Sequence, residues 1–300
     1  MSFQRLTKSA IINVISDAIF QAAKPLVRDF GEMQHLIHSQ RGIDRFVEKA
    51  KEIVVKTLTQ VLQEKYAAYK IVLPDSMQAK INAAAKAAIQ AAEETTDGIE
   101  PGQNEDIPVP AEAVVESGPP AHAFILSPLI GEQNFRHALP QFAIGVTVRK
   151  KGKIAAVAIY DPIKDELFWA EKKEGAHLNS KKLRVSPYPQ ARGSRLIIET
   201  IARNAPTFMD HIHFYAKAQK NCDALLTLGA PALSLAYVAA GRVDGALCYT
   251  TPEGEFEGAA LLIKEAGGRI AQVKEEGLVL ASNNEQVDQF LISRVKETNI

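Results

Sequence analysis

The chain reads as an α+β protein whose C-terminal part alternates strand and helix. Three features lead there: two long amphipathic periodicities near the N-terminus, a hairpin-rich stretch from residue 123, and a strand–helix alternation from residue 194 onward. Its 300 residues suit one large domain or two ordinary ones. We expect an N-terminal α+β half over 1–190 and a C-terminal α/β half over 191–300.

Leu6, Ile11, Ile12, Ile15, Ile19 and Ala22 recur at three-to-four spacing and predict a helix over 6–24, with Pro25 interrupting or capping it. Ile43, Phe46, Val47, Ala50, Ile53, Val54, Leu58, Val61 and Leu62 repeat the pattern, giving a second helix over 43–66. An Ala-rich run predicts a third over 76–94 by propensity. Residues 95–120 turn to prolines, glycines and acids and read as a long polar loop or partly disordered segment. From Ala123 the texture is β. Phe142 to Arg149 and Ile154 to Tyr160 flank Lys150-Lys-Gly-Lys153, a hairpin signal whose lysines fit a solvated turn better than a phosphate contact. Strands are then expected at Arg195–Glu199, Ala224–Leu228 and Gly245–Tyr249, separated and followed by helices at Asp210–Gln219, Ala232–Ala240 and Glu255–Ala266.

Lys plus Arg total 35 and Asp plus Glu total 35, so no global field draws the chain to nucleic acid or an anionic membrane. Cys222 and Cys248 stand apart without a CxxC, which argues against a disulfide framework. No run reaches the roughly 20 apolar residues of a membrane span, and the N-terminus lacks an apolar signal core. These features lead to the expectation of a soluble, cytoplasmic protein. GxSxG, GxxxxGK[ST] and GxGxxG are all absent, removing the common elbow, P-loop and dinucleotide signals. His211 and His213, two apart beside Asp210, do not share a helix face and read as surface histidines. Asp223 beside Cys222 lacks the neighbouring histidine a thiol-activating system would use.

Phe124-Ile-Leu-Ser-Pro-Leu-Ile-Gly-Glu-Gln-Asn-Phe135 is the most informative segment. It resembles the DPIDGTxNF loop of the inositol monophosphatase family, which binds Mg²⁺ through its two aspartates. Pro128, Gly131, Asn134 and Phe135 match. The aspartate positions hold Ser127 and Ile130, and the threonine position holds Glu132. Downstream, Val157-Ala-Ile-Tyr-Asp-Pro162, Glu166-Leu-Phe-Trp-Ala170, Gly175-Ala-His-Leu-Asn179, Gly229-Ala-Pro-Ala-Leu233, Leu235 to Gly245 and Leu262 to Gly268 follow in family order over residues 121–282. The resemblance implies the family's fold of alternating helix and sheet layers, its phosphatase activity on inositol phosphates and, often, a homodimer.

It also implies where the metal ligands should stand. Aligning Tyr66–Asp75 with the family segment ending in Gly-Glu-Glu puts Leu73 on the glycine, Pro74 on the first glutamate and Asp75 on the second. Counting back from Glu265-Ala-Gly-Gly268 puts Glu255 on the late aspartate and Gly254 where tryptophan is usual. Cys248 falls near the glutamate that holds a substrate hydroxyl. Gly131, Gly229, Ala230 and Cys248 are the substrate contacts so implied, and Asp75, Glu132 and Glu255 the residual carboxylates. Mg²⁺ demands oxygen ligands, and one carboxylate at about 4 Å from a divalent ion is worth roughly 8 kcal/mol at an effective dielectric near 20, before desolvation. Losing two or three takes tight binding away.

Other roles are open to the same residues. Glu253, Glu255 and Glu257 suit a helix start, Asp75 suits an N-cap, and Glu132 suits a solvated loop. Gly131 and Gly267-Gly268 suit turns, Asn134 a bond to loop backbone, and Phe135 the core. The function expected is therefore that of a degenerate family member, without a required cofactor, that binds a small phosphorylated ligand or a protein partner; resemblance to the family's bacterial extragenic-suppressor branch implies a transcription complex as one such partner. The alternative is an active Mg²⁺-dependent phosphatase with a site rearranged around Asp75, Glu132 and Glu255.

Overall fold

The computed structural model describes residues 8–36, 40–74, 77–79, 119–202, 204–249, 255–273 and 277–296. Helix α1 (Ala10–Leu36) and helix α2 (Gln40–Lys65) come first. Strand β1 (Lys70–Val72) follows, then β2 (Ala123–Ile130), the short helix α3 (Glu132–Arg136), β3 (Ala143–Lys150), β4 (Lys153–Asp161), β5 (Glu166–Glu171), β6 (Gly175–Leu178) and β7 (Lys181–Lys182). These seven strands form one sheet in chain order, antiparallel except for the β1–β2 pair.

The remaining elements are β8 (Arg195–Ile198), α4 (Phe208–Asn221), β9 (Ala224–Leu226), α5 (Pro231–Ala239), β10 (Gly245–Tyr249), α6 (Glu255–Glu265), β11 (Arg269–Val273), β12 (Leu278–Ser282) and α7 (Glu285–Lys296). Their strands make a second sheet in the order β11-β12-β10-β8-β9, with β8 parallel to both neighbours.

Three apolar clusters stack these parts into five layers. Ile12, Ile15, Ile19 and Leu26 of α1 and Val47, Val54 and Leu58 of α2 pack on Phe124, Ile144, Val146 and Trp169 of the first sheet. The other face of that sheet (Ile130, Val157, Phe168) meets Leu233 and Leu235 of α5, Leu262 of α6, and Ile197 and Ala246 of the second sheet. Leu196, Leu247 and Leu280 then bury the far face of the second sheet against Phe214 of α4 and Leu291 of α7. The layered α+β expectation holds.

Several details depart from the sequence reading. Pro25 does not end α1; it lies inside the helix and forfeits one backbone N–H. α1 is also long and apolar enough over Ala10–Met33 to pass for a membrane span, contrary to expectation, and here its apolar face is core. The segment Phe124–Ile130 is strand up to Gly131. Helix 76–94 is described only at 77–79, where it is helical; the rest of it, and residues 95–118, lie outside the described residues. The Lys150–Lys153 turn is exposed apart from its flanks, as expected, and the helices and strands after residue 194 lie within a few residues of their expected bounds.

Candidate functional site

The junction where β2 turns into α3 is built around a break in the ladder. Ser127 pairs with Gly145 and Ile130 with Ala143, so β2 spends one more residue than β3 over this stretch. Pro128 sits in that bulge, where a missing N–H costs no ladder bond. Ser127 packs against Gly145, and Ile130 enters the apolar cluster beneath the sheet; both are buried. Gly131 then turns left-handed (φ 81°) ahead of α3. A Cβ there would lie 2.7 Å from the Gln141 carbonyl oxygen and 3.1 Å from Ala230 Cβ, so glycine is required twice over.

Glu132 is half-buried and paired rather than a free, solvated carboxylate. Its Oε2 accepts from Lys51 Nζ at 2.8 Å, and its Oε1 accepts from Arg136 Nη2 at 2.8 Å and Nε at 3.1 Å. Lys51 also bonds Glu48 at 2.8 Å, and Arg136 reaches Asp44. Burial works against the Glu132 carboxylate, but the bonds from Lys51 and Arg136 outweigh it and hold the group below its usual range. Burial likewise opposes the Lys51 ammonium, and Glu132 and Glu48 overcome it, raising its pKa. Lys51 was missed from sequence, yet it stands at 51 in the stripe Val47, Val54, Leu58, a lysine where the period calls for an apolar residue.

Asn134 joins the two halves of the junction. Its Nδ2 donates to the carbonyls of Gln141 and Leu228, each at 2.7 Å, as the backbone-bonding reading anticipated. Next to Leu228, the Gly229 N–H donates to Glu199 Oε2 at 2.8 Å, and the Ser234 hydroxyl donates to Glu199 Oε1 at 2.5 Å. Glu199 is 2% exposed, and its sequence position signals only the end of a strand. Phe135 is in the core.

Gly131, Gly229 and Ala230 thus meet at one place, although Ala230 is fully buried. Cys248 lies beneath the start of α5, its Sγ 4.0 Å from the Pro231 carbonyl; burial, with Glu199 nearby, pushes its thiol well up. Pro74 closes β1's exit, while Asp75 lies outside the described residues, as does the side chain of Glu255, the first residue of α6. Glu257 pairs with Arg149 at 2.8 Å. His211, expected at the surface, is buried with Nδ1 3.1 Å from the Tyr249 hydroxyl, and burial and Arg294 lower its pKa; His213 is exposed. α4 turns His211 inward and His213 outward, so the two do not converge.

The family model for the inositol monophosphatase family matches residues 6–298. The chain belongs to the inositol monophosphatase family. Inositol-1-monophosphatase of Rhizobium meliloti (strain 1021) is 28% identical over 263 residues, covering 88% of this chain and 85% of that protein. Nus factor SuhB of Escherichia coli (strain K12) is 36% identical over 148 residues, 49% of this chain and 55% of that one. The crystal structure of extragenic suppressor protein suhB from Bartonella henselae superposes with a TM-score of 0.71 at 25% identity, covering 96% of this chain and all of that one.

Mg²⁺, which inositol monophosphatase family membership implies, needs several oxygens in octahedral array. Pro74 and Ile130 offer no side-chain oxygen, Ser127 is packed under β3, and both oxygens of Glu132 already accept from cations. Among the described residues no group of three or more His, Cys, Asp or Glu could hold a metal. The described residues do not fit the ion.

Proposed function

We propose that this inositol monophosphatase-family protein has lost Mg²⁺-dependent phosphatase activity and acts by binding a small phosphorylated ligand or a protein partner. The observation that carries the reading is the pairing of Glu132 with Lys51 and Arg136, two built-in cations on a carboxylate that would otherwise be free for a metal. Relatives named Nus factor SuhB support a transcription complex as that partner. Magnesium or manganese at millimolar concentration is expected to leave the melting temperature unchanged, with or without phosphate. Occupancy at about a hundred times Kd would instead add about 2.7 kcal/mol, a rise of several degrees or less in a chain of this size. Inositol phosphates, sugar bisphosphates and nucleotide phosphates are expected to turn over no faster than background. Robust Mg²⁺-dependent turnover abolished by Glu255→Ala would establish the rearranged active site instead.

We further propose that the protein is a homodimer joined through α4 and the edge strand β9. Met209, Ile212, Tyr215 and Leu226 are exposed there, four of the eight large apolar side chains in that condition among the described residues. Asp210 opens α4 and Lys220 closes it, so two copies packed antiparallel pair each acid with the other's base. Light scattering after size exclusion is expected to give twice the chain mass for the wild type and a monomer for Ile212→Asp. A monomeric wild type overturns the proposal.

A further inference from the structure

A second site lies apart from the Glu132–Gly229 junction and shares no residue with it. A cavity of about 510 Å³ opens between α1 and the turn joining β4 to β5. Phe20, Ala23 and Val27 line it from α1, Tyr160 and Pro162 from the sheet side. Phe20 and Tyr160 meet edge to face at 4.9 Å, making an aromatic wall. Two charges also face the cavity: Lys24 from α1 and Asp165 from the turn. An adjoining cavity of about 330 Å³ shares Phe20 and Asp165 and ends at Lys8 and Trp169.

Asp165 is held in place. Its Oδ1 accepts from the Tyr160 hydroxyl at 2.8 Å, and its backbone carbonyl accepts from Asn179 Nδ2 at 3.1 Å. Burial and the neighbouring carboxylate push the Tyr160 phenol up, so it stays a donor. The backbone of Asp165 is left-handed (φ 54°), a conformation uncommon outside glycine and found where surrounding structure enforces it. Lys24 lines the cavity from the α1 side, and among the described residues no salt bridge joins it to Asp165.

We propose that this cavity binds a small zwitterion with an apolar body, a free apolar or aromatic amino acid being the simplest case. A carboxylate fixed on one wall and an ammonium on the other, unpaired with each other, are both satisfied by one molecule that carries the opposite pair. A simple anion meets Asp165, and a simple cation meets Lys24 and Lys8. The walls between them reward apolar surface, and the volume lies in the range of small-molecule sites. Both charged groups reach solvent, so binding is expected near ~1 mM rather than at nanomolar strength.

The full chain titrated with L-phenylalanine, followed by NMR chemical shifts or calorimetry, tests this. Saturable binding is expected, with phenylacetate (no ammonium) and phenethylamine (no carboxylate) each weaker by about tenfold or more. Lys24→Ala and Asp165→Asn are each expected to weaken L-phenylalanine by a similar factor. Asparagine tolerates the left-handed turn and keeps a bond from Tyr160, so a loss there reports charge rather than misfolding. Absence of saturation, either analogue binding as tightly as L-phenylalanine, or variants that bind like the wild type would each overturn the proposal.

Discussion

Glu199→Ala is expected to lower the unfolding free energy by about 3 kcal/mol, through two stranded donors and a cavity. Glu199 directly follows β8, its own N–H donating to the Leu247 carbonyl at 2.9 Å, which holds the residue in register with β10. Its carboxyl group then takes the Gly229 N–H and the Ser234 hydroxyl. Alanine leaves that N–H without an acceptor under α5, and Ser234 keeps only its long 3.3 Å contact to the Ala230 carbonyl. The loss spreads beyond the residue itself. Gly229 follows Leu228, whose carbonyl is one of the two Asn134 acceptors, so loosening the turn loosens the tie between α3 and α5. Glu199→Gln keeps the volume and one acceptor oxygen and is expected to cost about 1 kcal/mol. Urea unfolding monitored by circular dichroism measures both. An alanine variant as stable as the wild type would mean that Asn134 and Gly131 hold the junction unaided.

The difference between Glu199 and Phe135 explains what could be read in advance. Phe135, Ile12 and Val54 act through burial, and burial leaves a period in the chain: helices and strands were legible because their apolar residues recur at 3.6 or 2. Asn134 was legible because its place in the resembled motif invited a backbone bond, and the structure supplies two. Polar residues that act across the fold leave no such trace. Lys51 and Glu132 are 81 positions apart, and Gly229 and Glu199 are 30 apart, so only tertiary packing brings each pair together. From sequence Glu132 therefore fits a metal ligand or a solvated residue, with no sign of the lysine that binds it. β1 escaped for another reason. Its three residues, Lys70–Val72, are too few to carry a period, and their pairing with Ala123–Ile125 is parallel and distant. His211 was misplaced because spacing separates the two histidines correctly but does not say which one faces inward.

Lys51→Met tests the built-in cation directly, and is expected to cost about 2 kcal/mol at neutral pH. Methionine keeps most of the stem volume beside Ala50 and Val54 while removing the ammonium, which leaves Glu48 without this partner and Glu132 with Arg136 alone. The cost stays below that of a fully buried pair because the Glu132 side chain is 31% exposed, and solvent screens part of the charge. The pH dependence separates loss of charge from loss of packing. Because the folded-state Glu132 pKa is depressed, its contribution is complete above the ordinary carboxylate range and fades as pH falls through the lowered folded value. The raised Lys51 pKa acts at the other end: its contribution is complete below the ordinary lysine value and fades as pH rises through the folded one. The wild type is therefore expected to lose its advantage over Lys51→Met at acid pH, where Glu132 becomes neutral, and again at strongly alkaline pH. A double-mutant cycle with Glu132→Gln is expected to give a coupling of about 1–2 kcal/mol at pH 7, shrinking as pH falls through the lowered folded value of Glu132. If the two substitutions add without coupling, Lys51 serves packing alone, and the pairing that supports a metal-free role loses its force.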